Sequence, residues 1–480
     1  MIGPKMRREN MKGKILIKSL MVIIILALSC SYVFASVSLA REKTPIEIYN
    51  PNFKFPTEPI TLTFWEIYGS RPGWLEWARK VASEYSQIHP NVKVKVREIP
   101  LKEYPIIFQS AMQTNTMADV FCMFRYRIHE WGLALPAPDW AVKIFKTQYI
   151  DAANSWQRYP EGGSRKEYQG KYLGWISSEL DAGQMLYYNK DMFKEAGLDP
   201  NKPPKTSPEL LEYMKKLTKY GPGGNIVRGG WAIRYLGHKG GIEEKWTAFL
   251  FWWHDCRKGR IFTEDWKHIQ AWDSPDFIAA VKFYQDMVWK WKVASIEMPV
   301  PTEAFKLGLA AMTNRESFLE GILKRDAPWI HYGIAPIVYG APPYGQYKEG
   351  VWTANQLSCV WKGTKYPQIA WDFNMFLNND KHDLEISKIA GGIPRRKANQ
   401  DTPYAKSIKW LDVFKEAYRR PLVRAEEYDP YGLFGNLEDV LGDAVVTCLL
   451  DPNADPKTEL KKARAKAEEI LRSAIEAQKK

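Results

Sequence analysis

Two short clusters in this chain bring together side chains that could hold a ligand: Trp65 and Glu66 with Tyr68 and Arg71, and the run Arg125-Tyr126-Arg127. Each pairs an aromatic ring with groups that donate to or accept from hydroxyls. A pyranose offers hydroxyls and one apolar C–H face, so this mixture suits a polyhydroxylated guest. Glu179 and Asp181 add two carboxylates just ahead of the run 184–188. They read as hydroxyl acceptors, as an acid and base flanking a glycosidic bond, or as surface acids paired with Lys171 or Lys190. Trp231, Trp252, Trp253 and Trp352 are candidate stacking plates, the first following the glycine-rich stretch 221–230, read as a loop. With 20 Trp, 25 Tyr and 20 Phe, the chain holds more rings than core filling requires.

The elements that must position these groups follow from periodicity. Residues 60–65 alternate apolar and polar, Leu75, Ala78, Val81, Ala82, Tyr85 and Ile88 recur at helical spacing, and Val92, Val94 and Val96 alternate with lysines. This is β-α-β, whose crossover makes the strands parallel. A buried strand is predicted over 119–124 after a helix over 104–113, further strands over 174–177, 184–188 and 332–337, and a capped helix start at Thr206-Ser207-Pro208-Glu209. Ser274-Pro275 opens another helix, 302–312 reads as a helix feeding a strand, and helices are predicted over 367–377 and 459–477. Ligands in such sheets lie beyond the carboxyl ends of the strands, which is where both opening clusters fall.

Composition narrows the function classes. A chain of 480 residues amounts to about three domain-equivalents, and 45% hydrophobic with 26% charged residues is ordinary for a protein folding in water. The net charge of +13 falls to +8 without the first forty residues, and the basic stretch 457–480 is interleaved with glutamates at helical spacing, so nucleic acid is excluded as a partner. Lys12, Lys14 and Lys18 precede an uncharged stretch over 19–40, the layout of a signal peptide over residues 1–40. Cleavage after Ala35 or Ala40, lipidation at Cys30 and a retained anchor are the three outcomes, followed by a proline-rich linker over 41–57. Cys122, Cys256, Cys359 and Cys448 show no metal spacing, and their apolar neighbours favour buried free thiols. His129-Glu130 lacks the second histidine of a zinc motif, and there is neither a phosphate loop nor a nucleophile elbow, so no metal or cofactor is expected.

Six stretches in order resemble the extracellular solute-binding proteins of ABC importers, in the carbohydrate-binding group typified by maltose-binding protein. They are 187–193 with Ala196-Gly197-Leu198; 205–211; 304–308 with 310–313; 332–336; 370–373 with Phe376-Leu377; and Gly392-Ile393-Pro394-Arg395-Arg396. Two departures stand out: Ser207-Pro208 replaces the usual Trp-Asp, and Thr313-Asn314-Arg315-Glu316 replaces the family's Asn-Gly-Pro-Trp neighbourhood at the ligand cleft.

The resemblance implies a type II periplasmic-binding-protein fold: α/β, two lobes, each a mostly parallel sheet flanked by helices, with three hinge crossings. One lobe would hold residues 58–177 plus 352–391 and the other 178–351 plus 392–480. It further implies a monomeric receptor, not an enzyme, that is periplasmic or tethered to the outer face of the cytoplasmic membrane. Such a receptor captures a sugar or oligosaccharide and delivers it to a membrane permease. Asn314, Arg315, Glu316 and Phe318 would occupy the mid-chain cleft motif, Phe434 the late aromatic position, and Glu179 and Asp181 the acid at the hinge. The alternative is an exported carbohydrate-active enzyme using Glu179 and Asp181; a module for an amino acid, peptide or metal would have a cleft poor in rings.

Overall fold

The computed structural model describes residues 41–67, 71–101, 103–177, 180, 185–233, 263, 265, 267–269, 272–338, 356–417 and 429–477. Residues 45–480 form one compact unit. Within it, among the described residues, stand two five-stranded sheets. The first has the order β2-β1-β3-β10-β4, with β1 at Ile60–Glu66, β2 at Val92–Glu98, β3 at Val120–Phe124, β4 at Gly174–Ile176 and β10 at Gln356–Val360. The second has the order β6-β7-β8-β5-β9, with β5 at Met185–Asn189, β6 at Lys219–Tyr220, β7 at Ile226–Trp231, β8 at Ala310–Arg315 and β9 at Tyr332–Pro336.

Each sheet combines parallel neighbours with antiparallel ones. β1 runs parallel to β2 and β3, and β7 parallel to β8, as their crossover helices dictate. β10 runs antiparallel to β3 and β4, and β5 antiparallel to β8 and β9. The register gives the reason. Gln356, which opens β10, faces Phe124, which closes β3, and Met185, which opens β5, faces Arg315, which closes β8. A strand that enters from the other sheet must begin at the edge where its neighbours end, so it runs against them. The chain leaves the first sheet after β4, enters the second at β5, leaves it after β9 and returns at β10, each time at that edge.

Local patterning accounts for the elements. In helix α1 (Trp74–Ile88) the residues Trp74, Trp77, Ala78, Val81, Ala82 and Tyr85 are buried, the stripe expected of a helix covering a sheet. Thr206 caps the helix Ser207–Leu217 in a reciprocal capping box with Glu209. The glycine-rich stretch is not all loop: Ile226–Trp231 is strand β7, and at Gly230 a Cβ would stand 2.1 Å from the carbonyl oxygen of Met214, a space open only to glycine. Cys122, Cys359 and Cys448 are buried free thiols, as expected; Cys256 lies outside the described residues. Cys122 and Cys359 belong to paired strands but are opposite Ser358 and Phe121, so their side chains take opposite faces of the sheet.

A third passage between the sheets runs through residues 391–410. Ile393 N–H donates to the Leu180 carbonyl, so two crossing segments bond to each other. Helix α4 (Asp380–Ala390), numbered after α2 (Arg125–Trp131) and α3 (Phe318–Asp326), holds this passage through Asp383. That carboxylate is fully buried and accepts from the backbone N–H of Arg395 and Arg396 at 2.9 and 3.0 Å. Tyr404 still donates to the carbonyls of Ser387 and Gly392, whereas Trp410 donates to Glu320 of α3, on the side of the second sheet. Among the described residues no helix is long and apolar enough to cross a membrane; the predicted signal segment lies outside them.

Candidate functional site

The edge where the crossings occur is where the candidate residues gather, because strand ends and the loops after them carry side chains no longer committed to the sheet. On the first sheet, Trp65 and Glu66 close β1 on opposite faces. The Trp65 ring packs edge-on against Phe108 at 5.2 Å, with the Arg97 guanidinium 5.5 Å from its centroid, so it is a core plank under the helix Tyr104–Gln113. Glu66, 2% exposed, accepts a hydrogen bond from the Cys122 thiol at 3.2 Å. Burial, and then the charge of Glu66, push that thiol well above its usual range, so it stays protonated and donating.

Helix α2 begins at this edge. The Arg125 guanidinium is fully buried and lies 4.5 Å from the centroid of the Trp156 ring. Arg127 pairs with Glu130 at 2.6 Å and lies 5.4 Å from Trp131. Burial raises the Glu130 carboxyl above its ordinary value despite Arg127, with Asp429 adding to the rise. At the far end Gly132 takes the left-handed conformation, and Arg165 donates to the carbonyls of His129 and Glu130. Its positive charge at a helix C-terminus holds α2 in place. Ser177 and Gln356 are buried at the same edge, joined by the Ser177 N–H to Gln356 carbonyl bond.

On the second sheet, Trp231 closes β7, 4% exposed, with its backbone beside Met312 and Val293. Asn314 is 3% exposed within β8 and Arg315 ends it. Phe318 opens α3, with the guanidiniums of Arg315 and Arg71 each 4.7 Å from its centroid. Arg315 also faces Glu316 at 3.8 Å. The structure therefore brings Glu66, Arg125 and Arg127 to one edge and Trp231, Asn314, Arg315 and Phe318 to the other. Tyr68, Glu179, Asp181, Trp252, Trp253 and Trp352 lie outside the described residues, as do the side chains of Tyr126 and Phe434. Among the described residues no group of three or more metal-ligating side chains occurs.

Sequence reading missed Cys122 as a partner of Glu66 and Trp156 as the plate under Arg125. Cys122 could have been found: aligning the two parallel strands by their apolar runs places it beside Glu66. Trp156 had no local signal, since it sits in a seven-residue helix, Asp151–Gln157, too short to show a period.

The family profile described as "Bacterial extracellular solute-binding protein" matches residues 68–382. The sn-glycerol-3-phosphate-binding periplasmic protein UgpB of Salmonella typhimurium is 30% identical over 309 residues, which cover 61% of this chain and 64% of that protein. UgpB of Pectobacterium atrosepticum is 31% identical over 172 residues, 35% of this chain and 36% of that one. The matches thus span less than two thirds of these relatives' own length. In fold, the chain is similar to maltose-bound MalE3 of T. maritima, with TM-score 0.66 and 18% identity over 86% of this chain and 100% of that one. The GacH receptor of Streptomyces glaucescens gives the same TM-score and identity, over 86% and 99%. The architecture is the two-lobed α/β fold of such proteins.

Proposed function

Because the chain belongs to the bacterial extracellular solute-binding proteins, we propose that it is the carbohydrate-capturing receptor of an ABC importer. It is exported as a monomer, closes its two lobes over a sugar or oligosaccharide, and presents the closed form to a membrane permease. The observation that carries this reading is the meeting of two sheet edges, one with buried Glu66 and Arg125, the other with buried Asn314 and Trp231. Carboxylate, guanidinium and amide answer hydroxyls, and a ring answers the C–H face. Glu179, Asp181 and the tryptophans at 252, 253 and 352 complete the ligand set in this reading.

One lobe takes residues 58–177 plus 352–391 and the other 178–351 plus 392–480, as the family stretches imply. A phosphorylated polyol is the second reading. UgpB relatives are named for such a ligand, and Arg125 and Arg315 stand at the edges.

Isothermal titration with maltotriose, mannobiose and sn-glycerol 3-phosphate, followed by chromatography of the ligands, tests both. Saturable binding of a sugar without turnover is the expected result. Binding of the phosphate ester alone selects the second reading. Hydrolysis of a glycoside would overturn the receptor assignment in favour of an enzyme using Glu179 and Asp181.

A further inference from the structure

The start of α3 is where the two halves touch through side chains and backbone together. Arg71 follows β1 of the first sheet, and its guanidinium lies 4.7 Å from the centroid of Phe318, which follows β8 of the second. Arg315 occupies the same ring at the same distance. Beside them the end of α4 closes on the first turn of α3. Gly391, at φ +70°, lies where a Cβ would stand 2.9 Å from the Ser317 carbonyl oxygen, and a Cβ on Gly321 would stand 3.5 Å from the Ile389 oxygen. Ile389 in turn packs within 3.3 Å of a Cβ built on Gly73, two residues from Arg71. Loop 71–73, the end of α4 and the start of α3 are therefore one junction.

We propose that Arg71 fastens the two lobes through Phe318, and that it sets ligand affinity by stabilising the closed arrangement rather than by touching the ligand. Guanidinium is the suitable cation, since it is planar, weakly hydrated and stacks on rings. The contact joins residues from opposite halves, so it forms when they approach and is lost when they part. Phe318, its π surface engaged by two guanidiniums, is the socket of this contact and not a plate for a sugar. A contact present only in the closed form multiplies apparent affinity by its effect on the closed population, whatever the ligand.

The proposal rests on the receptor reading for its affinity arm alone. Small-angle X-ray scattering of the unliganded full chain provides the other arm, comparing wild type, Arg71→Ala, Phe318→Leu and the double variant. Each single variant is expected to have a larger radius of gyration, and the double variant no larger than either single, with thermal unfolding checking that all are folded. An unchanged radius in Arg71→Ala overturns the proposal. Calorimetry then measures Kd for maltotriose, mannobiose and sn-glycerol 3-phosphate. Arg71→Ala is expected to weaken every ligand that the wild type binds by the same factor, about two- to fivefold for an exposed cation–π contact. A loss confined to one ligand would make Arg71 a ligand contact and overturn the proposal. If wild type binds none of the three, the receptor reading for these ligands fails, and scattering still decides the junction.

Discussion

Asp383 offers the sharpest test of how the passage between the sheets is held. Its carboxylate is fully buried in α4. One oxygen accepts from Arg395 N–H at 2.9 Å and Asn378 Nδ2 at 3.3 Å, with Arg395 Nη1 at 3.4 Å; the other accepts from Arg396 N–H at 3.0 Å and Asn399 Nδ2 at 2.9 Å. Asp383→Ala removes the acceptor of two buried backbone donors, each costing about 1–3 kcal/mol when left unmet, and takes the carboxylate from a buried guanidinium, a loss of about 3–5 kcal/mol where measured elsewhere. These terms overlap, so the expected net destabilisation is about 4 kcal/mol, or about 10 °C in Tm for a lobe of this size. Urea unfolding and scanning calorimetry on the full chain measure it. Asp383→Asn keeps the shape but turns an amide donor toward other donors, and should lose at least half as much. A change below about 1 kcal/mol in both variants would refute the reasoning, because the donors would then have found water without cost.

Alkaline pH should weaken the fold through its thiols. Burial holds Cys122 and Cys359 well above the usual value of 9.0 and pushes Cys448 up to about 12, so the folded chain keeps protons that the unfolded chain releases. Stability from these thiols is therefore fully present well below pH about 9 and falls above it with a slope that approaches about 1.4 kcal/mol per pH unit per thiol, about 3 kcal/mol for the three between pH 9 and 10. Urea midpoints that stay level across that interval would contradict this. At the start of helix Ser207–Leu217, the Thr206 hydroxyl accepts from Glu209 N–H at 3.3 Å and Glu209 accepts from Thr206 N–H at 3.2 Å. Thr206→Ala should cost about 1 kcal/mol, read as a lower urea midpoint with unchanged slope; no shift would show the box to be ornamental.

Helices with one apolar stripe were legible from residue types alone, and α1 is the example. α4 was not, because its buried side includes His382, Asp383 and Ser387, polar residues that break the stripe yet are matched by Glu84 and Arg395 on other segments. The helix Phe434–Leu450 was not assigned from the sequence although it carries a stripe, with Asn436, Asp443 and Thr447 exposed along one side. Of the candidate residues, Glu66 and Arg125 were placed at a sheet edge because strand ends can be located by period and the edge rule then applies, whereas Asn314 was offered only by the family resemblance. Trp65 shows the limit of that rule: alternation turns its ring away from Glu66, toward Phe108.

What the amino-acid order determined by itself was local: the β-α-β opening, the capping box at Thr206, the burial of the thiols, and a set of family stretches in order. Strand direction in the return passages, the contact of Arg71 with Phe318 across 247 positions of chain, and the gathering of Arg395, Arg396 and Asn399 around Asp383 were decided only on folding. Period and capping chemistry act within a few residues, so a sequence displays them directly. Which distant group meets a buried charge or ring is set by the paths on which two sheets bring their edges together, and no local pattern encodes those paths.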